Sequence, residues 1–373
     1  MKVSYIKSLD GLRGIAVLLV ILFHFSMVPF VSFGFEVGWV GVQLFFVLSG
    51  FLITRILIAE KRSSFGSYIR KFYWRRSLRI FPLYFLYVGV LYALYLVINE
   101  PENFPAVSPF LLTYTFNYYI LSPEWEVSRF FSHLWSLSVE EQFYLIWPFV
   151  LYFLSVRNFK RFTIFLILLV PVLRLLLGIL FLEKFQSEEM SGIAVYFMTI
   201  SHFDAFAIGG LVSLIDGETQ RKFLKYYWYV VSFVVLAGLL NLYNYVGEIN
   251  IKDITSMGYL IHSMENYQHV WSYSLINLLC AFIIMKLAQK ESKWLCYGPL
   301  VYIGKISYGM YVFHMLIIGI FASVLGKVIV NDFISLLVIL IAVLAISSAS
   351  YYMFERKFLL LKNSSVRKKK SFI

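Results

Sequence analysis

Arg13 and His24 stand eleven residues apart in an apolar stretch. At about 100° per residue a helix brings both to one face, about 16 Å apart along its axis. Asp10 falls on the same side, one turn before Arg13. A fixed cation attracts an anionic ligand, and an imidazole beyond it handles a proton near neutral pH. A plainer reading makes Arg13 a topology signal and His24 a partner for a neighbouring helix. A second basic group runs through Arg70, Lys71, Arg75, Arg76 and Arg79. If helical, the i,i+3 and i,i+4 spacings gather Arg75, Arg76 and Arg79 into a fork. Arginine forks donate bidentate hydrogen bonds to phosphate, and Tyr73 and Trp74 offer planes for an adenine. Lipid-phosphate anchoring explains the same cluster. The third group is acidic: His133, Leu137, Glu140, Tyr144 and Trp147 share one helical face, with Glu141 turned about 100° away. A carboxylate inside a membrane must be paired, protonated or turned to an aqueous cavity. Ser307, Tyr311 and His314 also align, but Ser307 and His314 are about 10 Å apart along the axis. No Ser-His dyad exists within that helix, so interhelical bonding is the expected role.

These residues need a membrane scaffold to hold them. Of 373 residues 60% are apolar and 14% charged, where a soluble domain carries about 25% charged residues. Mean hydropathy is +0.76. A disordered, collagen-like or disulfide-stapled chain is excluded, and Cys280 and Cys296 form no framework. A bilayer core about 30 Å thick needs about 20 apolar residues per helix. Ten segments qualify: 9–29, 38–58, 80–98, 134–155, 162–182, 200–216, 227–246, 268–287, 300–325 and 333–354. Segment 105–121 is broken by Pro105 and Pro109 and reads as re-entrant or interfacial. The fold class is therefore all-α and polytopic, with the first segment retained as a span.

Charge sets the orientation, because cytoplasmic loops collect Lys and Arg. With ten spans and both termini cytoplasmic, 28 of the 33 basic residues fall inside. Arg129, Lys184, Lys252 and Lys327 fall outside, and Arg174 lies within a span. Making 105–121 a full span would flip every later loop. The net charge of +12 is thus mostly topological. Residues 358–373 form a basic cytoplasmic tail that touches anionic lipid, after a transmembrane domain over 1–357. A nucleic-acid partner is disfavoured, since the basic patch abuts the membrane and no binding module is recognisable. His202 and Asp204 precede Gly209-Gly210, which read as helix packing. His262 and His269 have no metal-ligand company, and no metal is expected.

Five stretches taken together resemble the acyltransferase-3 family of integral-membrane O-acyltransferases. SLDGLRGIAVLLVILFHF carries its Arg-x10-His pattern at Arg13 and His24, and GWVGVQLFFVLSGFLITRIL resembles its second helix, including Ser49. FYWRRSLRIFPLY holds the Arg-x-x-Arg pattern at Arg76 and Arg79. HLWSLSVEEQFYLIWP contains His133, Trp135, Ser136, Glu140 and Tyr144, and IGKISYGMYVFHMLI contains Ser307 and His314. The resemblance runs from about residue 5 to 357. Gln43, His202 and Lys357 depart from the residues many relatives have, Asp, Arg and Pro respectively.

The resemblance implies transfer of an acyl group, usually acetyl, from cytoplasmic acyl-CoA to a hydroxyl beyond the membrane. The expected acceptor is a carbohydrate or glycoconjugate, either surface polysaccharide or its lipid-linked precursor. The expected setting is a bacterial cytoplasmic (inner) membrane, and a homo-oligomer is compatible with this. Arg76 and Arg79, helped by Arg75 and Arg13, would bind the CoA phosphates. His24 would act as general base, with an acyl-histidine relay the competing mechanism. Glu140 would orient an imidazole or bind a sugar hydroxyl, and Trp125 and Trp135 would stack on sugar rings. Asp10, Ser49, His133, Ser136, Tyr144, Ser307 and His314 are expected to support substrate or structure. Without the hydrolase-like domain appended in some larger members, the chain would deliver acyl groups alone or to a separate partner. A proton-coupled transporter is the main alternative, disfavoured by the lack of repeated halves. A lipid-sugar glycosyltransferase and an export scaffold rank lower.

Overall fold

The computed structural model describes residues 5–26, 34–244, 254–324 and 331–367, with side chains described to 361. Lys2, Lys252, Lys327 and Lys368 to Lys370, used in the charge partition, lie outside the described residues. The described residues are all helix, turn or loop, with no strand among them. In chain order the helices are α1 (Lys7–Phe25), α2 (Val40–Glu60), α3 (Phe65–Ile98), α4 (Phe104–Leu112), α5 (Trp135–Phe153), α6 (Val156–Phe185) and α7 (Glu188–Phe197). There follow α8 (Phe203–Leu214), α9 (Gly217–Leu224), α10 (Tyr227–Asn244), α11 (Gln268–Gln289), α12 (Gly298–Val324), α13 (Asp332–Ser350) and α14 (Arg356–Arg367).

Eight helical stretches are long and apolar enough to cross a membrane, and α7 with α8 makes a ninth if the bent pair is one span. The fourth expected segment, 134–155, is the 19-residue α5, which carries Glu140, Glu141 and Gln142 and is not among these nine. Segment 105–121 contains only the nine-residue α4 and a 3-10 turn over Phe116–Leu121. Nine residues rise about 14 Å, half of what a span requires. α3 is longer than its apolar core, because the basic stretch from Tyr68 continues the same helix. α14 follows a single π-turn over Tyr351–Glu355 and crosses the expected tail boundary at 358.

The sixth expected span, 200–216, is covered by a 3-10 turn over Thr199–His202 and the twelve-residue α8. α7 precedes it across a 71° bend, where Met198 adopts an extended backbone. Such a break survives in an apolar setting only if the freed carbonyls find donors. Asn117 donates to the Phe197 carbonyl at 3.2 Å, His202 Nε2 to that of Tyr196 at 2.6 Å, and Arg174 Nε to that of Ser201 at 2.9 Å. Arg174 is fully buried and pairs with the equally buried Asp204 at 2.5 Å. Ser274 on α11 bonds both partners, so this ion pair ties α6, α8 and α11 together.

Burial divides the bundle into a centre and a rim. The apolar windows of α1, α2, α11 and α12 are 61–72% buried, whereas those of α6, α10 and α13 are 17–22% buried. Lipid supplies no hydrophobic force between helices, so close packing uses small residues. Gly304 of α12 lies so near α1 that a Cβ would sit 1.7 Å from the Asp10 carbonyl oxygen. Gly209 of α8 meets the Val47 carbonyl of α2 in the same way, at 2.0 Å. The expected packing role of that glycine pair is thus met at Gly209. Glu291, in the loop between α11 and α12, accepts from the Ser8 N–H at 3.1 Å and pins the start of α1.

Candidate active site

Two cavities lie end to end in the central bundle. The inner one, at the end where the basic residues gather, offers about 770 Å³ of space, part of it open to solvent. Arg13 of α1, Arg76 and Arg79 of α3, and Glu140 of α5 line it, along with Ser49, Ser136, Tyr144, Ser307 and Tyr311. Arg13 is held by Asp10 at 3.0 Å, and Asp10 also accepts from Tyr5 at 2.5 Å. Arg76 lies over the Tyr144 ring, 5.1 Å from its centroid. Arg76 and Arg79 make no ion pair among the described residues. Two cations in one cavity, neither held by a described carboxylate at ion-pair distance, suit an anion.

Three sequence expectations change here. Arg75 leaves the fork, because Glu60 at the end of α2 takes its guanidinium at 2.5 Å and Arg75 does not line the cavity. Tyr73 is tied to the Leu145 carbonyl at 2.9 Å, which leaves Trp74, half exposed, as the freer aromatic plane. Glu140 does not orient an imidazole: its Oε1 accepts from the Ser49 and Tyr144 hydroxyls, within the arginine-lined cavity. The helix spacing of α5 placed Glu140 and Tyr144 together as expected, but the neighbour they face is α2, not a histidine.

The outer cavity offers about 1250 Å³ of space, part of it open to solvent, and is lined by His24, Trp39, Trp125, Trp135, Tyr196 and His262, with Glu36 and Glu189 as its carboxylates. No Lys or Arg lines it among the described residues. Trp135 stacks on Phe197, ring centroids 5.0 Å apart at 14°. Trp135 and the half-buried Trp125 supply the aromatic wall.

Val42 and Tyr311 line both cavities. The Tyr311 hydroxyl donates to the His133 carbonyl at 2.9 Å and is also hydrogen-bonded to Ser136. These two hydrogen bonds fix the Tyr311 side chain where the two linings meet. Ser307 turns back to the Gly304 carbonyl at 2.9 Å and His314 turns away from it, as their axial separation requires.

Packing of α1 against α12 and the turn before α5 brings His24, His314 and His133 together. His24 Nδ1 and His314 Nε2 are 3.2 Å apart, and the His133 and His314 ring centroids are 4.8 Å apart. His133 sits in the 3-10 turn Ser132–Leu134 rather than on α5. Each histidine was visible as a polar residue in an apolar stretch. Their meeting was not, because 290 positions separate His24 from His314. Among the described residues no group of His, Cys, Asp and Glu is arranged to hold a metal ion.

A family model described as an acyltransferase domain matches residues 6–352. The chain belongs to the acyltransferase-3 family. Acyltransferase-3 members similar to it include a putative O-acetyltransferase of Staphylococcus aureus strain COL, 28% identical over 331 residues. That alignment covers 85% of this chain and 51% of the relative. O-acetyltransferase OatA of S. aureus strain NCTC 8325 / PS 47 is 28% identical over 325 residues, 84% of this chain and 51% of that protein. The chain thus spans about half the length of the curated relatives it matches. No solved structure matches it.

Proposed function

We propose that this multi-pass acyltransferase-3 protein moves an acetyl group from cytoplasmic acetyl-CoA to a hydroxyl of a carbohydrate on the other side of the membrane. The observation that carries this reading is the pair of cavities meeting at Val42 and Tyr311, one lined by Arg13, Arg76 and Arg79 and the other by His24. CoA has its phosphates at one end and its thioester at the end of a slender arm. Arg76, Arg79 and Arg13 hold the phosphates, and the arm passes between Val42 and Tyr311 to bring the thioester to His24. His24 takes the proton of the acceptor hydroxyl as the oxygen bonds to the thioester carbonyl carbon. The carbon–sulfur bond breaks, and the leaving thiolate receives that proton. General base catalysis of this kind contributes roughly 10²–10⁴ in rate.

The aromatic wall of the outer cavity fits the faces of sugar rings. The donor is named as acetyl because the similar proteins are named O-acetyltransferases. A bacterial inner membrane is the expected setting, since those proteins are bacterial and the basic residues sort to one side. Mass spectrometry of surface glycans from cells with and without the chain tests the reading. An acetyl mass increment that appears only with the chain supports it, and identical glycan spectra count against a glycan acceptor.

A further inference from the structure

His24 and His314 are joined nitrogen to nitrogen, and their other contacts fix where the protons lie. His24 Nδ1 is 2.9 Å from the Val20 carbonyl, and His314 Nδ1 is 2.6 Å from the Tyr311 carbonyl. A carbonyl oxygen only accepts, so each Nδ1 carries its ring's proton. A neutral imidazole has one N–H, which leaves His314 Nε2 as a lone pair 3.2 Å from the His24 Nδ1–H. The His24 Nδ1–H is thus shared between the Val20 carbonyl and the His314 Nε2 lone pair. The consequence reaches the cavity: His24 Nε2 is left as the basic nitrogen of a ring that lines the outer cavity.

We infer that His314 is a positioning residue for His24, holding it in the tautomer whose Nε2 takes the proton from the acceptor hydroxyl. The inference rests on the acyl-transfer reading above. When His24 Nε2 gains that proton, the Nδ1–H···Nε2 bond to His314 becomes charge-assisted and strengthens. The positive charge is then shared by two imidazoles until the departing thiolate removes the proton. The ionisable groups packed on the pair are His133 and Tyr311. His133 donates its Nε2–H to the Val312 carbonyl at 3.1 Å, so that nitrogen does not compete. No described carboxylate hydrogen-bonds to either ring. A second imidazole therefore fills the place that a carboxylate takes behind the histidine of a Ser-His-Asp triad.

The experiment uses the full chain in lipid nanodiscs with acetyl-CoA as donor, water as acceptor, and thiol release as the readout. His314→Leu is expected to lower kcat roughly 10²-fold while leaving KM for acetyl-CoA unchanged. His314→Gln keeps a side-chain carbonyl that accepts from the His24 Nδ1–H, and is expected to recover most of that loss. Equal rates in the two variants, or a wild-type rate in His314→Leu, overturn the inference. Nitrogen-15 NMR of histidine-labelled wild-type protein tests it without any substitution: His24 is expected to be protonated at Nδ1 and bare at Nε2, and the reverse tautomer overturns it. His24→Ala, run alongside, separates the two readings. Turnover that survives in His24→Ala sinks the role given to His24 and the inference with it. Turnover lost in His24→Ala but intact in His314→Leu sinks the inference alone.

Discussion

The inner and outer cavities share Val42 and Tyr311 yet are built from opposite chemistry. Three arginines and one carboxylate line the inner cavity; two carboxylates, two histidines and a set of aromatic rings line the outer. Arginine in the inner cavity is stationary charge: Arg13 is held by Asp10, and Arg76 lies over Tyr144. Histidine in the outer cavity is a group that can gain and lose a proton. On the proposed function the difference is a division of labour, with anion binding at one end and proton transfer at the other. It also separates what each end does to rate and to affinity.

His24→Ala strikes the outer cavity and has the largest expected effect, a loss of roughly 10²–10⁴ in kcat read by thiol release from acetyl-CoA. Arg76→Ala combined with Arg79→Ala strikes the inner one. Charge-assisted hydrogen bonds are worth about 1.5–3 kcal/mol each, so KM for acetyl-CoA is expected to rise at least tenfold with kcat changed less. An unchanged KM would return both residues to topology. Trp125→Ala removes one aromatic platform, worth about 1 kcal/mol. Once an acceptor is in hand, its KM is expected to rise roughly fivefold while that for acetyl-CoA stays put. Arg75→Ala is the smallest and the sharpest control. Its ion pair with Glu60 is half-buried and lies outside the inner cavity, so KM for acetyl-CoA is expected to stay within about twofold.

The spans were legible because hydropathy is a property of the segment itself, and the expected stretches are largely helical over their described residues. The bend at Met198 was not, because the donors that make it tolerable come from Asn117 and Arg174, far away in sequence. The same limit governs the site. Spacing along α3 puts Arg75, Arg76 and Arg79 within reach of one another, but only the position of Glu60 on α2 shows which of them is taken. Spacing along α5 unites Glu140 with Tyr144 without telling that Ser49 completes the group. Periodicity reports which residues share a face of one helix. It is silent on what that face meets, and the histidine cluster exists only in that meeting.

Binding and turnover of acetyl-CoA, measured separately on the same purified proteins, test the division of labour most directly. Isothermal titration is expected to find acetyl-CoA bound by His24→Ala as tightly as by the wild type, with turnover lost. Arg76→Ala with Arg79→Ala is expected to lose binding at the same concentrations. Binding that collapses in His24→Ala, or persists undiminished without the two arginines, would contradict the account.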